Sequence, residues 1–440
     1  MTLLAEYLTT PLTSDTLPPR HYHNLFCEVS LDDIRYRKGE CIRVSVPGRI
    51  CLQGEHQDFL GLPVIAMAVD RCFNIKAWPR PDNKYVIHMP DLATSAAGTV
   101  DARADRNVCP TDAPASTGGA GIPACPDSAA HDEFVPSQPL TYRHHRDYLP
   151  SAVNVLKQRG LEFDRGYDFL FTSTIPVNAG CSSSSAMCVG WIKTLLALAN
   201  DPAADDPKLV ARLAHQAEVL EFHEPGGTMD HYTTSIGGLL YIETTDPIQV
   251  TPINPPFEMP FAGFVLGNTL EKKDTKATLR ASRQAAEAGI AQLARRIPGF
   301  SLRTTPTAQI QAELPHLATE SADILLANVI NRDLCQEAAR ILKTNPFDAT
   351  RFGQLIDEHH AQLRDRLHIS TPALERLIQA AHDAGAFGAK LNGSGGGGTM
   401  IAFAPNRDTQ IAAAIGQAGG KAYVVRPCRG ATIEFKAEGI

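Results

Sequence analysis

Four stretches of this 440-residue chain carry side chains whose types and spacing could serve one reaction. The first is Pro176-Val177-Asn178-Ala179-Gly180-Cys181-Ser182-Ser183-Ser184-Ser185-Ala186, between a strand-like run and an apolar helical one. A helix N-terminus presents unpaired amide donors and a partial positive charge, which together make a seat for an anion. Small residues there let phosphate oxygens reach the backbone, and serine hydroxyls can add hydrogen bonds or reach a magnesium ion. The same residues also suit an ordinary, closely packed helix cap. The commoner phosphate loop is excluded, because the nearest Gly-Lys step, Gly420-Lys421, is followed by Ala422. No lysine follows the serines, so charge compensation must come from a magnesium ion or from elsewhere in the chain.

The second stretch, residues 47–61, places Arg49, Glu55, His56 and Asp58 between a strand and an apolar run. Carboxylates on a glycine-bounded loop suit sugar hydroxyls, which need fixed acceptors; a solvated turn with a salt bridge is the plainer alternative. The third is Gly226-Gly227-Thr228-Met229-Asp230-His231, after a helical stretch that carries Glu218. Asp230 can be a turn or cap residue. Beside a phosphate seat it can instead orient an attacking hydroxyl or accept its proton, with Glu218 available to magnesium. The fourth, residues 385–399, contains G-x-G-x-x-G at Gly393, Gly395 and Gly398. A dinucleotide site would need those glycines to open a helix, yet Thr399–Phe403 reads as a strand. A turn that touches a phosphate or packs on a neighbouring loop fits better.

The elements that must position these groups alternate strand and helix. Residues 41–46 alternate like a strand and stop at Pro47-Gly48. An apolar run over 62–69 leads into an alternating strand over 72–78. Helices are expected over 148–159, 187–196, 206–223, 276–296, 308–325, 352–366 and 372–384, and strands over 167–172, 239–243, 264–267, 399–403 and 422–426. In the 206–223 helix, Leu209, Leu213, Ala217 and Leu220 share one face. Residues 91–138 are rich in Ala, Asp, Pro, Ser, Thr and Gly and almost lack large apolar side chains; they read as a long exposed insertion. The Pro-rich stretch 252–260 marks a boundary, giving domains 1–250 and 251–440.

Composition bounds the rest. The chain is 43% apolar and 20% charged, enough for a sizeable core. A net charge of −7 speaks against a nucleic-acid surface. Ten cysteines without a C-x-x-C spacing speak against zinc and thioredoxin-like redox sites. With no leader-like start and no apolar run near the ~20 residues a bilayer requires, the expectation is a reduced, cytoplasmic protein away from the membrane.

In order along the chain, residues 46–61, 176–186 and 390–399 resemble the three motifs of the GHMP kinases. Gly48-Arg49 followed by Gly54-Glu55-His56-Gln57-Asp58-Phe59 looks like the galactokinase signature, and Gly227-Thr228-Met229-Asp230 is similar to the stretch that bears its catalytic aspartate. The resemblance implies an α+β fold: an N-terminal domain like domain 2 of ribosomal protein S5 and a ferredoxin-like C-terminal domain, with substrates in the cleft between them. It implies transfer of the ATP γ-phosphate to the anomeric hydroxyl of galactose or a related sugar. Asp230 would orient or deprotonate that hydroxyl, Arg49 would stabilise the transferring phosphoryl group, and Glu55, His56 and Asp58 would hold the sugar. Asn178, Gly180, Ser182, Ser183, Ser184, Ser185, Gly395 and Gly396 would bind ATP, and Ser184 with Glu218 would hold Mg2+.

Two departures leave the acceptor open. Phe59-Leu60-Gly61-Leu62 stands where galactokinases usually have tyrosine, asparagine and paired glycines, and residues 390–398 are closer to the mevalonate and heptose kinase style. Uronic acids, arabinose, fucose or a heptose phosphate remain as acceptors, with Lys272, Lys273 and Arg143 as cations for a uronate. Mevalonate, or a non-catalytic sugar sensor, are further alternatives. Mevalonate kinases usually lack the aspartate at position 58.

Overall fold

A computed structural model describes residues 40–90, 130–176, 180–253, 263–271 and 275–437. The strands are β1 (Glu40–Gln53), β2 (Val64–Pro79), β3 (Tyr85–Met89), β4 (Ala130–Phe134), β5 (Tyr167–Ser173), β6 (Leu239–Glu243), β7 (Gln249–Pro252), β8 (Phe264–Asn268), β9 (Gly388–Asn392), β10 (Thr399–Phe403), β11 (Lys421–Val425) and β12 (Thr432–Ala437). One sheet runs β12-β1-β2-β5-β3-β4, with β6 pairing β2 and β7 pairing β6. The other, β11-β8-β10-β9, is antiparallel throughout.

The first sheet carries the helix Ser183–Leu198, which is apolar on all sides because it is buried at the centre of its layer. Trp191 stacks edge-on against Phe169 at 4.7 Å between ring centres, Tyr85 joins them, and the indole N–H donates to the Leu149 carbonyl at 3.1 Å. This packing fixes the helix, and therefore its serine-lined N-terminus, relative to the sheet. The second sheet is covered by the helices Pro372–Asp383 and Asp408–Gln417. Leu374, Leu377, Ile378, Ile411 and Ile415 meet Leu391, Met400 and Ala402 in one core.

Several expectations change. The apolar run 62–69 and the strand 72–78 are one long strand, β2. The insertion expected over 91–138 lies mostly outside the described residues, but Ala130–Phe134 pairs antiparallel with β3, from Met89↔Ala130 to Tyr85↔Phe134. A strand of Ala, His, Asp, Glu and Phe at a sheet edge needs little apolar content, so composition alone hides it. The helix expected over 308–325 is two, Thr307–Glu313 and Thr319–Ile341, parted by a 3-10 turn at Leu314–His316 where Pro315 supplies no amide hydrogen. The proposed division at 250/251 cuts the sequence but not the sheet, since β12 returns to pair with β1.

The 206–223 helix ends early in a way that matters for chemistry. It is α-helical over Pro207–His215 and then makes a π turn, Gln216–Leu220. The wider turn rotates the following positions, so Leu220, expected on the buried face, is 55% exposed while Glu218 is buried. π turns of this kind are frequent at functional sites.

Candidate active site

A cavity of about 260 Å³ gathers three of the four stretches and the turn of the fourth. Its wall includes Arg49, Glu55, His56, Asp58, Gly180, Ser182, Ser183, Ser184, Ser185, Glu218, Gly227, Asp230, Gly393 and Ser394. Ser182 precedes the helix in a left-handed conformation (φ 60°), and the first intrahelical bond in this turn runs from the Ala186 amide to the Ser182 carbonyl at 2.9 Å. The amides of Ser183, Ser184 and Ser185 therefore sit in the first turn, before the helix ladder begins, facing the same cavity as the acidic groups. Asn178 lies outside the described residues.

Arg49 lies on β1 next to a register shift at Pro47/Gly48, and its own amide donates to the Cys181 carbonyl at 3.2 Å. Its guanidinium forks onto Asp230, Nε to Oδ1 and Nη2 to Oδ2, both at 2.8 Å, while Nη1 donates to the Gly180 carbonyl. A bidentate pair of this kind fixes both groups in angle as well as distance. Burial works to raise the Asp230 carboxyl, but the Arg49 charge and its hydrogen bonds overcome it and hold Asp230 below the ordinary range. Asp230 is thus an ionised acceptor at the serine loop.

Asp58 begins a 3-10 turn and accepts hydrogen bonds from the Met229 amide at 3.1 Å and the Phe59 amide at 3.0 Å. Burial, then the nearby Asp230 charge, raises its carboxyl from 3.8 to about 6. The native state binds this proton more tightly than the unfolded chain does. Asp58 alone therefore favours the fold at low pH and loses that contribution as pH rises from 3.8 toward about 6. Its effect on ligand binding has the opposite sense, because only the ionised carboxylate is acceptor-only. On lowering pH from about 7 to about 5, an acceptor molecule held by Asp58 should show KM rising about tenfold, measured at saturating ATP. Asp58→Asn should flatten that rise, and an unchanged slope in the variant would remove Asp58 from the acceptor site.

Glu218, brought inward by the π turn, bonds His231 Nε2 through Oε2 at 2.7 Å. His56 Nε2 lies 2.9 Å from the Ser394 carbonyl, and Glu55 forms a buried ion pair with Lys390. Gly395 and Gly396, expected at the phosphate, turn instead toward Ile369, whose carbonyl accepts the Gly396 amide at 2.7 Å. A Cβ on Gly395 would lie 2.4 Å from that same oxygen. Gly393 and Ser394 supply this turn's share of the wall. Arg143 does not line the cavity: its guanidinium is taken by Asp132 and Asp147. Lys272 and Lys273 lie outside the described residues.

Sequence reasoning gave no role to Lys390 and Asn392, which join the stretches. Asn392 accepts from the Cys51 amide at 2.9 Å and donates to the Gly180 carbonyl at 3.0 Å, so strand β9 grips both the β1 loop and the serine loop. The available signal was a lysine and an asparagine inside an otherwise apolar five-residue strand. Arg146 and Glu224, paired on the cavity wall at 2.9 and 3.0 Å, carried no comparable signal.

Basic and acidic groups arranged this way around a helix N-terminus suit the transfer of a phosphoryl group to an alcohol. Residues 147–238 match the GHMP kinases N terminal domain, residues 334–421 the GHMP kinases C terminal domain, and residues 35–75 the galactokinase galactose-binding signature. The chain belongs to the GHMP kinase family, whose members use ATP as the phosphate donor. It is 27% identical over 388 residues to a mevalonate kinase of Thermococcus sibiricus, covering 88% of this chain and 96% of that one. It is 26% identical over 399 residues to a galactokinase of Roseiflexus sp., covering 88% and 90%. The crystal structure of Lactococcus lactis galactokinase complexed with galactose superposes with a TM-score of 0.73 at 19% identity, over 90% of this chain and 95% of that one. Among the described residues no helix is long and apolar enough to cross a membrane.

Proposed function

We propose that the protein is an ATP-dependent sugar kinase that phosphorylates the anomeric hydroxyl of galactose or a related sugar. The observation that carries this reading is the forked Arg49–Asp230 pair, set between the serine-lined helix start and Asp58 of the galactose-binding signature. The acceptor hydroxyl oxygen attacks the γ-phosphorus, the bond from that phosphorus to the β,γ-bridging oxygen breaks, and ADP leaves. Asp230 orients the hydroxyl and takes its proton, while Arg49 offsets charge on the transferring phosphoryl group. Amides of the first helical turn and the hydroxyls of Ser182, Ser183, Ser184 and Ser185 hold the triphosphate, and Asp58, His56 and Glu55 hold the sugar.

Mg2+ fits the residues present. Ser184 and Glu218 both line the cavity, and an ion shared with phosphate oxygens needs only one or two protein ligands. Bound there, it would neutralise charge between the β- and γ-phosphates. Among the described residues no three His, Cys, Asp or Glu side chains gather into an all-protein metal site, and this arrangement requires none.

The test is ADP release across galactose, N-acetylgalactosamine, galacturonate, glucuronate, arabinose, fucose, a heptose phosphate and mevalonate. Release with a neutral hexose and none with mevalonate is the expected result. Turnover of mevalonate alone would overturn the sugar reading, and binding of ATP and sugar without ADP release would make the protein a sensor.

A further inference from the structure

Glu218 and His231 both line the cavity, with 7% and 2% of their surface exposed. The π turn Gln216–Leu220 brings Glu218 to the wall, while His231 stands on the helix Met229–Ile236, one residue after Asp230. A carboxylate only accepts, so His231 Nε2 donates the 2.7 Å bond to Glu218 Oε2. The other oxygen, Oε1, takes no hydrogen bond from any described residue and is not sealed in; it opens on the cavity. His231 Nδ1, by contrast, is buried with no hydrogen-bond partner, and the His215 ring packs edge-on against the imidazole at 5.2 Å between ring centres.

An unpaired buried nitrogen is costly, and an apolar side chain would fill the same space without that cost. The use of this imidazole therefore lies in its other nitrogen. Its helix is a fixed support, because Met229 and Tyr232 pack into a core with Ala66, Leu240 and Ile242. Glu218 has no such support of its own, since a π turn departs from the regular helix ladder. We propose that His231 is a positioning residue for the metal: it holds Glu218 by Oε2 so that Oε1 is aimed at a Mg2+ ion shared with the triphosphate. One short helix start then sets two groups, Asp230 directly and Glu218 through His231. The proposal rests on the reading of Glu218 as a magnesium ligand.

The experiment uses the full chain with His231→Leu, His231→Gln and Glu218→Gln. Isothermal titration reads the affinity for a non-hydrolysable ATP analogue twice, as its Mg2+ complex and without metal in excess EDTA. His231→Leu should weaken the Mg2+ complex about tenfold while metal-free affinity stays within about twofold. At saturating Mg2+ its kcat should stay within about threefold of the parent, because Arg49 and Asp230 keep their pair. His231→Gln, whose side-chain amide donates at a similar reach, should recover most of the loss. A purely structural role would weaken both affinities alike, and that result would overturn the proposal. So would a glutamine variant no better than the leucine one, or an unchanged Mg2+ complex in His231→Leu where Glu218→Gln weakens it. An unchanged Mg2+ complex in Glu218→Gln would instead overturn the reading of Glu218 itself. If His231→Leu does not fold, His231→Asn carries the test, since its amide is too short to reach Oε2. The Mg2+ complex alone must then weaken, and equal weakening without metal sinks the proposal.

Discussion

Asp230→Asn should lower kcat about a thousandfold while leaving ATP affinity within about threefold of the parent. The carboxylate is held ionised by Arg49 at 2.8 Å on both oxygens, so it is ready to accept a proton as the hydroxyl attacks. An asparagine keeps the shape and one acceptor oxygen but cannot take that proton. ATP affinity should survive because the first-turn amides do not depend on the Asp230 charge, and of the serine hydroxyls it is Ser182 that bonds this carboxylate. Leaving a buried guanidinium with half its fork costs about 1–3 kcal/mol, enough to lower the melting temperature without unfolding the chain. Single-turnover kinetics with saturating ATP, and nucleotide binding by isothermal titration, check both halves. Near-normal turnover would end the proposed role. Removing the Asp230 charge also removes the second of the causes that raise Asp58, so the pH midpoint of sugar binding in this variant should fall below about 6.

The parts of this site that the sequence displays are those that touch a ligand through local spacing. Arg49, Asp58, the serine run and Asp230 stand in short segments whose glycines and serines have no other obvious use, and the fold joins them in one cavity. What the sequence conceals depends on contacts between distant segments. The Lys390–Glu55 pair spans 335 residues, and a lysine in a five-residue strand looks the same whether it faces solvent or a carboxylate. The π turn was hidden for another reason: Leu209, Leu213, Ala217 and Leu220 keep helical spacing, and only packing reveals the extra residue that turns Glu218 inward. Likewise β12, with Thr, Ile, Glu, Phe, Lys and Ala, is intelligible once β1 offers it a partner, from Ser45↔Thr432 to Glu40↔Ala437.

Gly227→Ala tests whether the acceptor site is as tightly fixed as its hydrogen bonds imply. A Cβ at position 227 would lie 2.0 Å from Asp58 Oδ2 and 2.1 Å from its Cγ, so one of the two must move. The cheaper movement is rotation of the Asp58 side chain, a short carboxylate at the cavity wall, rather than displacement of backbone. That rotation breaks the 3.1 Å bond from the Met229 amide and takes the carboxylate out of reach of the acceptor. The fold should therefore tolerate the change, with stability lowered by about 1–2 kcal/mol for one lost charged hydrogen bond. Activity should not tolerate it: a displacement near 1 Å at a positioning group can cost about a hundredfold, and kcat/KM for the acceptor should fall by that much or more. The loss should reside mainly in acceptor KM, because Asp230, Arg49 and the serine loop are left in place. A modestly lowered melting temperature together with a hundredfold loss in acceptor kcat/KM is the expected signature. A variant that binds acceptor normally would show that Asp58 can stay beside the new methyl group, and that something other than this carboxylate holds the substrate.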